Sequence, residues 1–278
     1  MLMRVNGVPL DTVAVLDRGF QYGDGVFTTL AVQDGIPLLL DAHRARLRRD
    51  AATLGIPWLD DAGLREDICA LLSQQPDGIL KIQLTRGQGG RGYRPPHPVL
   101  PTRVVSLYPP ANYPPAYATE GVLVRYCDQR LGTQPTLAGL KHMNRLEQIL
   151  ARAEWSDGPE AEGLMLDQDG LVVEGTMTNL FMVRQGCLLT PRLDRCGVSG
   201  VMRETLWAGA QALGVEVRET RLSTADLAQA EEVFVCNSVI GLWPVRQLAG
   251  QHYAVGRVTR RMAEWLKLKL QAERDAGF

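Results

Sequence analysis

Two residues of the sequence have the chemistry of a catalytic pair: a lysine that could act as nucleophile or base, and a carboxylate that could hold a positive charge. Lys141 lies in the segment Ala138–Arg145, after a glycine-containing loop and just before a predicted helix. A lysine amine becomes nucleophilic when burial or neighbouring cations lower its pKa. Glu174 ends the apolar run Leu171–Glu174. Taken singly, each residue is more simply explained as a surface charge or a hairpin-edge carboxylate.

Two short segments carry hydroxyl and backbone N–H groups of the kind that bind phosphate. Gly197–Val201 opens a predicted helix, and Cys236–Gly241 follows a predicted strand. A helix N-terminus, or a turn with several N–H groups, attracts an anion. Arg44 could bind a phosphate with two hydrogen bonds, although an arginine run such as Asp41–Arg49 is more often a solvated helix face. As isolated patterns, these segments indicate helix caps as readily as a ligand site.

Taken together and in this order, these segments resemble the fold type IV family of pyridoxal-phosphate enzymes over nearly the whole chain. The segments that carry the resemblance are Asp17–Thr29, His43 with Arg44, Arg86–Tyr93, Lys141–Gln148, Glu174 with Asn179–Phe181, Gly197–Ser199 and Cys236–Ser238. Arg86–Tyr93 and Lys141–Gln148 are similar to the lyases of this family, whereas Tyr22–Phe27 and the Glu174 region are shared with its transaminases.

The resemblance implies a pyridoxal 5'-phosphate cofactor that forms a Schiff base with Lys141, while Glu174 hydrogen-bonds its pyridine nitrogen. The residues implied to hold its phosphate are Arg44, the Val198 N–H, the Ser199 hydroxyl, Ser238 and the Val239 N–H. A carboxylate at the pyridine nitrogen keeps the ring protonated, so that the ring can accept electrons. Thr28, Thr29 and Lys141 itself are the candidates for returning a proton to the leaving group.

The lyase-like segments imply conversion of 4-amino-4-deoxychorismate to 4-aminobenzoate and pyruvate, a carbon–oxygen lyase reaction of folate biosynthesis, with Lys141 as the base. The substrate has two carboxylates, and we expect Arg91, Tyr93 and Asn237 to bind them. The alternative is a transaminase of the same fold, acting on D-amino acids or branched-chain amino acids. Branched-chain transaminases have a tyrosine five residues after the lysine, where this chain has Leu146. The branched-chain alternative is therefore less favoured.

A protein that only stores the cofactor is a third hypothesis, from a different functional class. The sequence does not favour it, because Glu174 supports an electron sink that matters only when a carbanion forms.

The sequence predicts two α/β domains that position these residues. Four prolines lie in residues 108–117, which excludes a helix and a central strand there and predicts a linker. We therefore assign residues 1–108 to a small N-terminal α/β domain, 109–121 to a proline-rich linker, and 122–278 to a larger C-terminal domain that binds the cofactor. The resemblance implies a mixed, barrel-like sheet in the larger domain.

Local patterns predict the individual elements. Asn-Gly at 6–7 and Asp-Gly at 34–35 predict hairpins. Asp41 is the predicted N-cap of a helix over 42–54, and Asp60 or Asp61 that of a second helix. The other predicted helices cover about 143–155, 199–213, a short Ser223-capped turn and 256–274, and the predicted strands include 80–85, 103–107, 122–126, 163–166, 171–174, 179–183, 187–190, 215–221 and 232–236. Apolar residues at 146, 149, 150 and 153 have the spacing of a buried helix face.

The composition and charge exclude several classes of function. The 278 residues hold 30 Lys plus Arg and 31 Asp plus Glu, for a net charge of −1, so no field draws the protein onto nucleic acid. No apolar run predicts a membrane span, and the N-terminus lacks a signal-peptide pattern, so we expect a cytoplasmic protein. The 5 cysteines and 4 histidines are scattered, which predicts neither disulfides nor a metal site. The resemblance also implies a homodimer.

Overall fold

The computed structural model describes residues 1–58 and 60–278, which form two compact units. The first unit comprises Met1–Asn112, Lys141–Asn144 and Leu270–Phe278, and the second comprises Tyr113–Leu140 and Arg145–Lys269. Each unit contains helices packed on a sheet, as the predicted α/β class requires. The short segment that begins with Lys141 belongs to the first unit, although the chain before and after it belongs to the second.

The first unit is built on an antiparallel sheet in the order β1-β5-β4-β2-β3. Its strands are β1 (Leu2–Val5), β2 (Gly25–Gln33), β3 (Ile36–Pro37), β4 (Gly78–Thr85) and β5 (Thr102–Tyr108), and its helices are α1 (Arg18–Tyr22), α2 (Leu40–Thr53) and α3 (Asp61–Leu72). Strand alternation places Val26 and Leu30 of β2 in a buried core with Leu47 of α2 and Ile68 of α3. Phe27 and Thr29 therefore point to the opposite face of the sheet.

Both predicted tight turns of this unit are confirmed. Asn6 and Gly7 have φ values of 48° and 87°, and Asp34 and Gly35 have values of 54° and 77°. Positive φ at both central residues is the geometry of the two-residue hairpin turn that Asn-Gly and Asp-Gly favour.

Of the two N-cap predictions for this unit, one is confirmed and the other is wrong. Asp60 is the N-cap of α3, as predicted, and accepts a hydrogen bond from the Gly63 N–H. Asp41 is not the N-cap of α2, because the helix already begins at Leu40, after Leu39 in a left-handed conformation. Asp41 lies in the first turn instead, where a negative charge still favours the helix dipole.

The second unit contains a mixed sheet in the order β11-β10-β9-β13-β14-β6-β7-β8-β12, with β15 paired to β14. The strands are β6 (Val122–Leu131), β7 (Glu160–Asp167), β8 (Leu171–Gly175), β9 (Asn179–Arg184), β10 (Cys187–Pro191), β11 (Val217–Thr220), β12 (Leu222–Ser223), β13 (Glu232–Asn237), β14 (Gly241–Leu248) and β15 (Gln251–His252). The remaining helices are α4 (Ala116–Thr119), α5 (Leu146–Arg152), α6 (Val201–Ala212), α7 (Thr224–Ala228) and α8 (Arg257–Ala276). Ser223 caps α7 in a capping box, which confirms that prediction. No helix of the described residues combines the length and the hydrophobicity needed to cross a bilayer.

Several elements differ from the sequence prediction, among them β14, α4 and α5. The central strand β14 was not predicted, because it contains Pro244, a residue typical of edge strands. Helix α4 lies inside the proline-rich segment that we expected to exclude a helix, and it begins directly after Pro115, since the start of a helix needs no N–H at that position. Helix α5 is shorter than predicted, and the side chains expected to form its buried face are exposed: Leu146 by 72%, Ile149 by 60% and Leu150 by 56%.

A buried carboxylate, Glu162 on β7, organises the turn that joins β8 to β9. Its Oε1 accepts hydrogen bonds from the Gly163 N–H at 2.8 Å, the Thr176 N–H at 3.1 Å and the Thr176 hydroxyl at 2.6 Å. Its Oε2 accepts from the Met177 N–H at 3.1 Å and the Thr178 hydroxyl at 2.8 Å. Five donors therefore converge on one side chain with 0% exposure.

We expect Glu162→Gln to lower the free energy of unfolding by about 2 kcal/mol or more, because an amide replaces one acceptor oxygen by a donor that faces other donors. Urea denaturation measures the change. Glu120→Gln, at an exposed position of the same unit, is the matched control, and we expect it to change stability by less than about 0.5 kcal/mol. Equal effects of the two variants would contradict the role of Glu162.

Candidate functional site

Lys141 is fixed through its backbone to β2 and α2. Its carbonyl accepts a hydrogen bond from the Phe27 N–H at 3.0 Å, and its own N–H donates to Asp50 Oδ2 at 3.0 Å. Next along the chain, His142 forms an antiparallel bridge with Val26. Asp50 is 1% exposed, so the anchor of the lysine is itself buried. The Lys141 backbone is therefore held in one position within the first unit.

The Lys141 amine lies on the face of β2 that points away from the core. Its Nζ is 4.7 Å from the centroid of the Phe27 ring, and Lys81 Nζ is 5.2 Å from the same centroid. Lys81 is directly opposite Thr29 in the β2–β4 register, so both lie on this face. Burial lowers the pKa of Lys81. Phe27, Thr29, Lys81 and Lys141 thus gather two amines and a hydroxyl around one ring.

Sequence reasoning missed Lys81, although a signal for it exists. Lys81 alternates with the fully buried Leu80 and Ile82, and this pattern places it on the sheet face opposite the core. The same alternation separates two residues that we had grouped together. Thr29 lies on the face of Lys141, whereas Thr28 points into the core.

Thr28 belongs to a buried polar cluster beneath the sheet. Its Oγ1 is 2.5 Å from His43 Nδ1 and accepts a hydrogen bond from Arg46 Nη2. Thr28, His43 and Arg46 are 0%, 1% and 4% exposed. The Thr28 hydroxyl is therefore occupied beneath the sheet, whereas Thr29 lies on the Lys141 face.

His43 is held in its neutral form. Burial is the main cause that lowers its pKa well below 6.5, and the positive charges of Arg46 and Lys141 lower it further. Since Arg46 donates to the Thr28 oxygen, the Thr28 hydroxyl proton can be donated to His43 Nδ1, which leaves the ring proton on Nε2. Within the described chain, His43 Nε2 is buried and has no hydrogen-bond partner.

The arginine run on α2 presents two arginines to different environments. The Arg44 side chain is 29% exposed and forms ion pairs with Asp41 at 3.0 Å and Asp61 at 2.9 Å. Arg46, two residues later and so on another face of the helix, is buried against Thr28 and acts electrostatically on His43, as Lys141 does. The structure therefore replaces Arg44 by Arg46 as the arginine that accompanies Lys141 in the interior of this unit.

Glu174 is a fixed carboxylate in the second unit. It is 4% exposed on β8, and its Oε2 accepts a hydrogen bond from the Val198 N–H at 2.8 Å. Asn179 Nδ2 lies 3.4 Å from the same oxygen and donates to the Val198 carbonyl at 2.8 Å. Burial lowers the pKa of Arg145, and the negative charges of Glu174 and Glu147 oppose this effect. Glu174 is thus held in place by hydrogen bonds and has a cation in its surroundings.

Several groups expected to bind phosphate already have partners within the second unit. The Val198 N–H donates to Glu174, the Ser199 hydroxyl donates to Glu204 Oε1 at 2.9 Å, and the Val239 N–H donates to Asn237 Oδ1 at 2.8 Å. These three groups stabilise their own loops through these hydrogen bonds, so other donors have to be considered for an anion.

The remaining donors lie next to those residues. Ser238 is half-buried at the end of β13. Helix α6 begins at Val201 with Gly200 as N-cap and no side-chain cap, so the first-turn N–H groups of Val201 and Met202 have no acceptor within the helix. A helix N-terminus of this kind suits a phosphate.

The predicted substrate ligands lie on two different loops. Arg91 and Tyr93 belong to the loop after β4 and are exposed, Tyr93 by 85%. The centroid of the Tyr93 ring is 5.6 Å from that of the Tyr22 ring, in an edge-to-face arrangement. Asn237 ends β13 in the second unit. It donates one amide N–H to the Met177 carbonyl at 3.1 Å, which leaves its second N–H for a ligand.

The donor set fits the cofactor that the resemblance implies. Taken by itself, the first unit contains a lysine amine and a buried arginine. Taken by itself, the second unit contains a buried carboxylate and hydrogen-bond donors next to it. These are the groups that an aldehyde, a phosphate and a pyridine nitrogen require. In residues 1–58 and 60–278, no group of three or more His, Cys, Asp and Glu side chains is arranged to hold a metal ion.

Comparisons with known proteins identify the family of this chain. Residues 25–248 match the family described as amino-transferase class IV. The chain is similar to an aminodeoxychorismate lyase from Vibrio harveyi, with 40% identity over 265 residues that cover 93% of this chain and 97% of the relative. It is also similar to the crystal structure of 4-amino-4-deoxychorismate lyase from Pseudomonas aeruginosa, with 49% identity, a TM-score of 0.93, and coverage of 97% of this chain and 99% of that one.

A branched-chain amino acid aminotransferase from Escherichia coli shares the fold, at 24% identity and a TM-score of 0.86, over 98% of this chain and 95% of that one. The predicted fold class and the resemblance to fold type IV enzymes are confirmed by these matches.

The buried His43 predicts a pH dependence of stability. The pKa of His43 in the folded protein lies below 6.5, the ordinary value that applies to the unfolded chain. At a pH between the folded and the unfolded pKa, the unfolded chain binds a proton that the folded chain does not. The free energy of unfolding should therefore decrease as the pH falls below about 6.5, by at most about 1.4 kcal/mol per pH unit from this group. Glutamine does not titrate, so we expect the stability difference between the wild type and His43→Gln to become smaller from pH 7 to pH 5.

Urea denaturation of the wild type and His43→Gln at both pH values measures this difference. A difference that stays constant over this interval would show that His43 is protonated equally in the folded and unfolded chains.

Proposed function

Because the chain belongs to the amino-transferase class IV family, we propose that it is a pyridoxal-phosphate-dependent lyase that converts 4-amino-4-deoxychorismate to 4-aminobenzoate and pyruvate. Two of the relatives described above have this activity in their names. The observation that carries the proposal is the pair of amines, Lys81 and Lys141, around the Phe27 ring beside Thr29. A lysine that handles protons and a second cation for a carboxylate suit a substrate with an amine and two acid groups.

Lys141 is the residue that acts on the reacting carbon in this proposal. When bound, the cofactor supplies an electron sink for the negative charge that develops at that carbon. Lys141 would hold the cofactor through its amine, and the same amine would remove the proton from the amine-bearing carbon of the substrate.

Thr29 is the proposed donor of the proton that the leaving enolpyruvyl group takes up. Its position opposite Lys81 in the register places its hydroxyl on the face of the Lys141 amine. Lys141 can also donate the proton that it has removed from the substrate. In that case, the Thr29 hydroxyl would orient the Lys141 amine. In both routes, the proton that Lys141 removes ends on the methylene carbon of the leaving group, delivered directly or through the Thr29 hydroxyl, which takes up the Lys141 proton as it gives away its own.

The second unit supplies the residues that hold the rest of the cofactor. Glu174 would hydrogen-bond the pyridine nitrogen, because its carboxylate is buried and already oriented by Val198 and Asn179. Ser238 and the N-terminus of α6 would donate to the phosphate. Arg46, rather than Arg44, would supply the positive charge for that phosphate.

Cations of the first unit would bind the substrate carboxylates. Lys81 and Arg91 are the proposed charged partners, with Tyr93 and the second amide N–H of Asn237 as hydrogen-bond donors. Lys81 is already partly desolvated, which strengthens its attraction for an anion.

The proposal includes a homodimer in the cytoplasm that supplies 4-aminobenzoate for folate synthesis. The exposed side chains of α5 support the dimer, because Leu146, Ile149 and Leu150 form an apolar surface at helical spacing. A second copy of the chain would remove this surface from water.

A product assay tests the proposed reaction. We expect the purified protein to convert 4-amino-4-deoxychorismate into equal amounts of 4-aminobenzoate and pyruvate without an added keto acid. Lys141→Ala should lower the rate roughly 10³-fold or more, since it removes the base. Lys267→Ala, at an exposed position of α8, is the matched control and should retain wild-type activity. Borohydride should attach the cofactor to the peptide that contains Lys141.

The same experiment has a clear opposite outcome. Conversion of the bound cofactor to its amine form by D-alanine or a branched-chain amino acid, with no 4-aminobenzoate from aminodeoxychorismate, would establish a transaminase. Borohydride labelling at another lysine would overturn the role of Lys141.

A comparison of the two arginines on α2 tests the phosphate site. We expect Arg46→Gln to weaken pyridoxal-phosphate binding by about ten-fold to a hundred-fold, the range for a lost charged hydrogen bond. Arg44→Gln is the control and should change the affinity by less than about two-fold, because its guanidinium is occupied by surface ion pairs. Absorbance titration of the apoprotein measures the affinity, and thermal unfolding of both apoproteins shows whether each variant is folded. A larger loss of affinity in Arg44→Gln than in Arg46→Gln would instead identify Arg44 as the phosphate ligand.

A further inference from the structure

One buried arginine holds the loop that carries Arg91 and Tyr93. Arg18 is the first residue of α1, and its side chain is only 4% exposed. Its Nη1 donates to the Gly92 carbonyl at 3.0 Å, and its Nη2 donates to the Tyr93 carbonyl at 3.1 Å. One planar guanidinium therefore fixes two consecutive peptide groups of the loop.

Backbone hydrogen bonds hold the start of the same loop against α1. The Arg18 N–H donates to the Gly87 carbonyl at 2.8 Å, and the Gly89 N–H donates to the Leu16 carbonyl at 3.1 Å. A Cβ at Gly89 would lie 2.8 Å from Arg18 Cδ, so the loop backbone approaches the arginine stem too closely for a side chain. A glycine at position 89 is thus required by the position of Arg18.

Tyr22 completes the support of the loop. Its ring lies under the Arg18 guanidinium, with Cζ 4.9 Å from the ring centroid, and its hydroxyl accepts a hydrogen bond from the Gly92 N–H at 3.3 Å. The edge contact with the Tyr93 ring extends the same stack. Arg18 is therefore packed on one side by an aromatic ring, which restricts its guanidinium to one plane.

Asp24 fixes the guanidinium in this orientation. Its Oδ2 lies 2.8 Å from Arg18 Nε and 2.7 Å from Arg86 Nε, and its Oδ1 lies 3.0 Å from Arg86 Nη2. Arg86 also donates to the carbonyls of Leu54 and Gly55 after α2. Burial opposes ionisation of Asp24, but hydrogen bonds from Arg86 and Arg18 outweigh it, so the pKa of Asp24 is lowered. Arg18 and its hydrogen bonds to the loop, which we call the clamp, are thus connected through Asp24 and Arg86 to the residues that follow α2.

We propose that Arg18 is a positioning residue for substrate binding: it holds the carbonyls of Gly92 and Tyr93 and thereby sets where the Arg91 and Tyr93 side chains meet a substrate carboxylate. The inference rests on the proposed function, which assigns a carboxylate to these side chains. Both side chains are exposed, so the backbone is the part of the loop that the protein can fix in advance. A fixed backbone lowers the entropy cost of immobilising a long side chain on a ligand.

Arg18→Lys tests the clamp, because lysine keeps the charge but cannot bridge two carbonyls and a carboxylate in one plane. We expect the KM for aminodeoxychorismate to rise about ten-fold, with kcat changed by less than about two-fold and pyridoxal-phosphate affinity unchanged. Arg103→Lys is the matched control, since Arg103 is a buried arginine of the same unit, 9% exposed, with its Nε 2.8 Å from Asp67. It should lower stability without changing KM.

A double-mutant cycle shows whether Arg18 acts through Arg91. If it does, Arg18→Lys should raise KM by a smaller factor in an Arg91→Ala background than in the wild type, because only Tyr93 then remains for Arg18 to position. Equal and additive effects of the two substitutions would overturn the proposal, as would an equal rise of KM in Arg18→Lys and Arg103→Lys.

Hydrogen exchange separates failure of the clamp from failure of the proposed function. In the holoprotein without substrate, Arg18→Lys should accelerate exchange of the amides between Gly87 and Arg94, and Arg103→Lys should not. Unchanged exchange in Arg18→Lys would show that Arg18 does not hold the loop. Absence of 4-aminobenzoate production by the wild type would instead refute the proposed function, and with it the role of the loop toward a carboxylate.

Discussion

The alternation of side chains along β2 is the constraint on which the rest of the first unit depends. Each residue of a strand points to the face opposite that of its neighbour. In β2, this places Val26 and Leu30 in the core and Phe27 and Thr29 on the other face, where Lys141 and Lys81 lie. A shift of β2 by one residue in its register with β4 would turn Phe27 and Thr29 into the core and expose Val26 and Leu30, so the pairing that stabilises the sheet also sets the chemistry of its outer face.

The buried polar groups beneath β2 connect the core to the same chemistry. Asp50 of α2 accepts a hydrogen bond from the Lys141 N–H, and Arg46 of α2 donates one to the Thr28 hydroxyl. Helix α2 therefore both anchors the lysine and carries the buried arginine. Removal of the hydrogen-bond partner of a buried polar group lowers the stability of the folded protein. This arrangement therefore restricts which residues α2 can carry on its inner face. The exposed face of α2, with Arg44 paired to surface carboxylates, has no such restriction.

Much of the fold followed from local signals in the sequence, because those signals act over a few residues. The Asn-Gly and Asp-Gly turns, the Asp60 cap and the Ser223 capping box were all predictable from residue type and spacing. The strand β14 was not, since its pairing with β6, distant in sequence, outweighs the preference of Pro244. The start of α2 was not predictable either, because the helix begins one residue before Asp41, after Leu39 in a left-handed conformation. The apolar spacing on α5 predicted a helix but not the side that its apolar residues face.

The candidate site shows the same division. Lys141 and Glu174 stood out by motif, but the choice of Arg46 over Arg44, and of Thr29 over Thr28, depends on which face of an element each residue occupies. A motif read as a string does not contain that information, whereas the 3.6-residue and 2-residue periods do. Lys81 was missed for the same reason: its importance lies in its neighbours across the sheet, Thr29 and Phe27, and not in its neighbours along the chain.

The division of the chain into its two units has a consequence for how such a protein can evolve. The chain passes from one unit to the other after residues 112, 140, 144 and 269, so neither unit corresponds to a continuous stretch of gene. A gene fragment that encodes residues 1–112 would lack Lys141–Asn144, whose backbone bonds to β2, as well as the C-terminal residues of the first unit. Recombination at a domain boundary therefore cannot exchange one unit for another, and new specificities in this architecture have to arise by substitution within loops and on sheet faces.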